Sequence, residues 1–222
     1  VESGVEGYEI VLGDDVVSGI KAREVIFKEG IGLLVSMTAA ISDTGLCQQK
    51  PEWSETVNVD GCIHLARACR EMGAKLLICS SDQVYSGSVL PGPHREAEAV
   101  TPNNVYGNQK LHAEANCLKI LPETVCLRLS WMYSRDSFPG EHGHFLTTLQ
   151  AALEDETKPL TWPVHDRRGI TDAESVVEQL PKMLNLPGGV YNFGSENTVS
   201  TYETVKALLT RLGRKDALAR LI

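Results

Sequence analysis

The sequence predicts a doubly wound α/β fold, a parallel sheet covered by helices on both faces. Three observations predict it. Apolar runs at Leu33–Met37, Lys75–Ser81 and Val125–Leu129 read as strands buried on both sides. The stretches between them carry helical periodicity at Pro51–Met72 and from Tyr106 to about Leu121, and they are long enough for parallel crossovers. The runs end in small, polar or aromatic residues: Thr38-Ala39-Ala40, Ser80-Ser81-Asp82 and Ser130-Trp131. Ligands of such folds bind beyond the carboxyl ends of the strands. Three strand ends are therefore expected to converge on one crevice.

Taken in order, Tyr8–Leu12 reads as a short strand and Gly13-Asp14-Asp15 as a turn. Ile20–Glu29 places Ala22, Val25 and Ile26 at helical spacing before Gly30. In Pro51–Met72, Val57, Gly61, Leu65 and Ala68 share a face, and Gly73 closes the helix. Asp82–Pro102 is a polar, Gly- and Pro-containing loop. After Ser134 the rhythm loosens. Phe138–His144 reads as a Gly-rich loop, Phe145–Leu153 as a helix and Leu160–Trp162 as a short strand. Thr171–Leu184 reads as a helix on Val176, Val177, Leu180 and Met183, and Gly188–Gly194 as a strand between turns. Ser200 to Glu203 matches a capping box ahead of a helix ending near Leu212.

The bulk numbers narrow the function classes. At 222 residues the chain can build one sizeable core, or one core with a small lobe. A net charge of −8 argues against a nucleic-acid or anionic-membrane surface. No apolar run approaches the roughly 20 residues that span a bilayer, and no signal peptide is recognisable. The six cysteines form no C-x-x-C pair, and several sit in apolar runs. They are expected to be reduced, buried thiols in a cytoplasmic protein. His142 and His144 lie in a Gly-rich loop without a metal-ligand spacing, so no metal is expected. The first residue is Val1, which suggests a processed or trimmed chain.

The chemistry concentrates at Tyr106 and Lys110, four residues apart at the start of a helix. That spacing puts both side chains on one face. A phenol ordinarily keeps its proton to about pH 10, and a neighbouring ammonium favours the phenolate. Such a pair suits acid–base work on a carbonyl or hydroxyl. Most Tyr-x-x-x-Lys pairs are solvated helix faces, so the rest of the site decides.

That rest is present in order. Val57–Gly61 (Val-Asn-Val-Asp-Gly), Ser80–Tyr85 (Ser-Ser-Asp-Gln-Val-Tyr), Pro102–Lys110 (Pro-Asn-Asn-Val-Tyr-Gly-Asn-Gln-Lys) and Leu127–Tyr133 (Leu-Arg-Leu-Ser-Trp-Met-Tyr) follow one another. Lys50–Trp53 and Gly189–Asn197 extend the pattern. Over roughly residues 8–212 the chain resembles the extended short-chain dehydrogenase/reductases, in the dTDP-4-dehydrorhamnose reductase branch. The resemblance implies a Rossmann-like domain over residues 1–134 with about 171–186. It implies a small substrate-binding lobe over 135–170 and 187–222. It also implies reduction of a nucleotide-linked 4-keto-6-deoxy sugar with NADP or NAD as cofactor.

By resemblance, Tyr106 gives a proton to the substrate oxygen, and Lys110 supports it and holds the nicotinamide ribose. Ser81 hydrogen-bonds the carbonyl, and Asn58 supports a water relay to Lys110. Ala39, Ala40, Ser80 and Leu129 line the cofactor. Asp82, Gln83 and Trp131 touch the sugar, an anionic acceptor and an aromatic platform suiting a deoxyhexose. Arg167 or Arg168 would meet a diphosphate through its planar fork.

The chain also departs from that pattern. The family opens with a strand and a G-x-x-G-x-x-G loop that binds pyrophosphate at a helix N-terminus. Here Gly4 and Gly7 precede a strand instead of following one, so the first strand, glycine loop and first helix are expected to be missing. Members of the family also continue past the point where this chain stops. Met37, Gly45 and Gln83 stand where the family has other residue types. A regulatory protein of the same fold, such as the methionine adenosyltransferase beta subunit, is therefore the alternative to an enzyme. It would work beside a larger catalytic partner, whereas the enzyme would act alone or as a homodimer.

Overall fold

The computed structural model describes residues 33–36 as backbone, and residues 41–134, 144–183 and 185–222 in full. The strand expected at Tyr8–Leu12, the helix at Ile20–Glu29, Ala39, Ala40 and most of the Phe138–His144 loop lie outside the described residues. Two compact units are found: Val1–Leu127 with Leu186–Tyr191, and Arg128–Asn185 with Asn192–Ile222.

Among the described residues a four-stranded sheet runs in the order β1 (Leu33–Ser36), β2 (Lys75–Ser81), β3 (Val125–Leu129), β6 (Gly189–Phe193). β1 pairs parallel with β2, Leu33 opposite Lys75 and Ser36 opposite Ile78. Three of the four are the apolar runs read from sequence. Every residue of β3 is buried, as a strand covered on both faces requires.

The first unit is closed by helices α1 (Thr44–Gln49), α2 (Pro51–Glu55), α3 (Gly61–Met72) and α4 (Val105–Ile120). The single helix expected over Pro51–Met72 is instead two α-helical pieces joined by a π-helical turn at Thr56–Asp60. Such a turn inserts one residue and re-aims its side chains, and here it turns Asn58 and Val59 inward. Gly73, at φ 68°, ends α3 in the left-handed conformation, which glycine adopts without steric cost.

The core of this unit joins Leu65, Ala66, Ala68 and Cys69 of α3 to Leu76 and Ile78 of β2 and to Ala113 and Cys117 of α4. Fully burying a leucine such as Leu65 or Leu76 contributes about 1.5–3 kcal/mol. The cysteines are free thiols used as small apolar fillers. Burial pushes Cys69 up to about 12. It pushes Cys79 up to about 11, despite the nearby Lys110 cation. Both stay protonated near neutrality.

In the second unit β4 (Trp131–Tyr133) pairs parallel with β5 (Ile170–Asp172). The helical reading of Thr171 therefore starts too early: Thr171 is in a strand, and α6 covers Ala173–Met183. Leu160–Trp162 is not a strand; Leu160 makes one isolated bridge to Leu221. α5 (Phe145–Glu154), α7 (Thr201–Arg211) and α8 (Lys215–Arg220) pack around Phe145, Leu149, Leu160, Val205, Leu209 and Ala217. The expected capping box is formed, with Ser200 Oγ accepting from the Glu203 N–H and the Glu203 carboxylate accepting from the Ser200 N–H. That backbone donor and the Ser200 hydroxyl hold the Glu203 carboxyl below its ordinary range. Arg220 fastens α8 by donating to the carbonyls of Asp155 and Lys158.

Candidate active site

β2 delivers Ser80 and Ser81 at its carboxyl end, and the chain turns at once into a 3-10 segment, Asp82–Tyr85. Ser81 caps that turn: its Oγ accepts from the Gln83 N–H at 3.2 Å and donates to Asp82 Oδ1 at 3.3 Å. The second of these is long, so the hydroxyl proton is readily turned to another acceptor.

The start of α4 is locked onto this turn. Asn104 caps the helix, its Oδ1 accepting from the Gly107 N–H at 2.7 Å. Its amide nitrogen donates to Gln83 Oε1 and Ser86 Oγ, each at 3.0 Å. Gly107 completes the fit, since a Cβ there would lie 2.4 Å from the Gln83 carbonyl oxygen and 2.9 Å from Pro102 Cβ. Tyr106, beside Gly107, is thereby held close to the turn that Ser81 caps. A Gly107→Ala variant must push the helix start off that turn. It is expected to lose about 1–3 kcal/mol of stability, the range for overpacking. Thermal unfolding measures that loss.

Tyr106 and Lys110 are nearly buried, at 8% and 3% exposure. Lys110 Nζ stands 5.6 Å from the centre of the Tyr106 ring, within cation–π range. It donates to the Cys79 carbonyl oxygen at 2.8 Å. One of its three donor positions is thus spent on β2.

Asn58 is fully buried on the π-turn. Its Oδ1 accepts from the Ile41 N–H at 2.7 Å, and its Nδ2 donates to the Ile41 carbonyl at 3.2 Å and to Gln109 Oε1 at 2.9 Å. Gln109 in turn donates to Pro51 O and Ser54 Oγ. This closed network ties Ile41, α2, the π-turn and α4 together beside Lys110.

In the second unit, Trp131 packs edge-on against Phe145 at 5.3 Å. The Arg168 guanidinium lies 5.4 Å over its ring. Leu129 is buried in β3. The structure thus gathers Ser80, Ser81, Asp82, Gln83, Asn58, Tyr106 and Lys110 in the first unit and sets Leu129 and Trp131 in the second. Gln109 and Glu114 escaped the sequence reading. Their one signal was a polar residue at a buried helical position, visible only once the buried face of α4 is known. Among the described residues no group of His, Cys, Asp or Glu could hold a metal. No helix among them is long and apolar enough to cross a membrane.

A family model described as the RmlD substrate binding domain matches residues 18–221. The chain belongs to this family. Within it, the chain is similar to a dTDP-4-dehydrorhamnose reductase of Streptomyces griseus, 34% identical over 120 residues, which are 54% of this chain and 39% of that relative. The chain therefore spans about two fifths of the length of such a curated relative.

Two solved structures share the fold of this RmlD-family chain. A dTDP-4-dehydrorhamnose reductase from Clostridium acetobutylicum ATCC 824 has a TM-score of 0.81 at 19% identity, over 99% of this chain and 76% of that one. One from Bacillus anthracis str. Ames, in complex with NADP, has a TM-score of 0.81 at 18% identity, over 94% of this chain and 71% of that one. The expected Rossmann-like α/β fold is the fold found.

Proposed function

We propose that this chain carries the proton-donating side of an NAD(P)H-dependent reductase of a nucleotide-linked 4-keto-6-deoxy sugar. The carrying observation is the buried Tyr106–Lys110 pair, held by Gly107 and Asn104 against the turn that Ser81 caps. The relatives named above as dTDP-4-dehydrorhamnose reductases support the substrate class.

The residues on the first unit fit the nicotinamide end of a cofactor. Lys110 keeps donor capacity beyond its bond to Cys79, and Tyr106 adjoins it. These two residues would hold the nicotinamide ribose, with Ser80 at the end of β2 in the lining. A bound, reduced nicotinamide would supply hydride to the carbonyl carbon. Tyr106 gives its phenol proton to the oxygen as charge develops there, so the C=O becomes H–C–O–H. Ser81 turns its hydroxyl from Asp82 to that oxygen. The Lys110 ammonium stabilises the phenolate left behind until it recovers a proton from solvent. We assign Asn58 to holding Ile41 and Gln109 in place, with its side-chain amide committed to them. Asp82 and Gln83 are assigned to the sugar. In the second unit the Arg168 guanidinium lies over the Trp131 ring, a pairing of planar cation and aromatic surface suited to a phosphate and a sugar.

The test is spectrophotometric. Oxidation of NADPH or NADH at 340 nm is expected only when dTDP-4-dehydrorhamnose is also present, and the two cofactors are compared side by side. Cofactor binding without any ketone-dependent oxidation would overturn the reading.

A further inference from the structure

Glu114 is 2% exposed, a carboxylate withdrawn from water in the middle of a domain. Burying such a group costs free energy unless it is held by hydrogen bonds. It follows Lys110 by four residues and Tyr106 by eight, so all three lie along one face of α4. Ser80 Oγ donates to Glu114 Oε1 in a short hydrogen bond. One turn earlier, Lys110 Nζ donates to the Cys79 carbonyl at 2.8 Å. Two successive turns of the helix are thus tied to two successive residues of β2. Ser81 directly follows Ser80 on the strand, and Tyr106 stands one turn before Lys110 on the same helix, so the two elements that these bonds join are the ones that carry the Ser81 hydroxyl and the Tyr106 phenol.

We infer that Glu114 is a positioning residue. By accepting from Ser80 it fixes the register of the β2 end against α4, so that the Ser81 hydroxyl and the Tyr106 phenol meet one substrate oxygen. The identity of that oxygen rests on the reductase reading above; the register contact does not. A carboxylate placed only to fill space would be replaced by a methionine of similar length without harm, since an apolar side chain avoids the cost of burying charge. A positioning role predicts the opposite, because misplacing a catalytic pair by about 1 Å costs on the order of 100-fold in rate.

Glu114→Gln, Glu114→Met and Ser80→Ala variants of the purified protein separate these roles. Glutamine keeps an oxygen that accepts from Ser80; methionine does not. Two readouts are taken: hydrogen exchange over residues 79–85, which needs no turnover, and kcat with KM for ketone reduction. In Glu114→Met and Ser80→Ala, exchange at Ser81–Gln83 is expected to rise about tenfold or more as the local contact opens. In the same variants kcat should fall about 10- to 100-fold while KM stays within about threefold. Glu114→Gln should restore both to near the parent values.

Parent-like exchange and kcat in Glu114→Met would overturn the inference. So would a Glu114→Gln variant as impaired as the methionine one, since the charge and not the bond would then matter. If Glu114→Met does not fold, Ser80→Ala removes the same bond by deleting one oxygen. If the parent protein reduces no ketone, the reductase reading fails and the exchange comparison alone decides the positioning role.

Discussion

Replacing Tyr106 with phenylalanine is expected to lower kcat for ketone reduction by about 10²- to 10⁴-fold, the span that general acid–base groups contribute. The substitution removes one oxygen and nothing else. The ring is almost fully buried, and its face meets the Lys110 cation 5.6 Å away; phenylalanine preserves both contacts. The helix start that carries it is held by Asn104 and by the close approach of Gly107 to Gln83. The fold should therefore be unchanged by circular dichroism, and the cofactor should still bind. A Lys110→Met variant combined with Tyr106→Phe should lose less kcat than the two single changes multiplied together, because residues that act as a unit are not additive. Turnover retained in Tyr106→Phe would remove the proton donor from the reading and leave the pair a buried structural contact.

Asn58→Leu should cost roughly 2–4 kcal/mol of stability, a large loss for a single change. Leucine has nearly the same shape but no polar atoms. It would leave the Ile41 N–H and Gln109 Oε1 without the partner they now share, and the Ile41 carbonyl with only the Cys47 thiol. Each polar group stranded away from water costs about 1–3 kcal/mol. Asn58 is fully buried and Gln109 nearly so, and the π-turn holds the Asn58 backbone, so relaxation of that pair toward solvent is limited. Trp53, half exposed on α2 next to Ser54, reports on this unit. Trp131 and Trp162 lie in the other. Urea unfolding in a background that keeps only Trp53 gives the number. A loss below about 1 kcal/mol would mean that water reaches these groups and that the network is no clamp.

Much of the fold was legible because its signals are local. Runs such as Lys75–Ser81 and Val125–Leu129 announce buried strands, since only a strand covered on both faces tolerates apolar side chains on both. Gly73 and the Ser200–Glu203 box mark helix ends because the unpaired backbone groups there need a particular residue. Reading failed where the deciding partner is distant. β5 takes its strand geometry from pairing with Trp131–Tyr133, some forty residues earlier. The π-turn is invisible in helical periodicity because one inserted residue only shifts the phase.

The same division runs through the site. By itself the sequence determined which chemistry is available, a phenol and an ammonium four residues apart on one helix face, because helical spacing is a property of the chain alone. It also determined that two hydroxyls end β2. Only the tertiary structure decided what those groups are fastened to: Lys110 to the Cys79 carbonyl, Ser80 to Glu114, and Asn58 to Ile41 and Gln109. Those choices follow from burial. Once α4 is pressed against β2 and the π-turn, every polar group caught between them must find a partner there or lose the hydrogen bond that water provided.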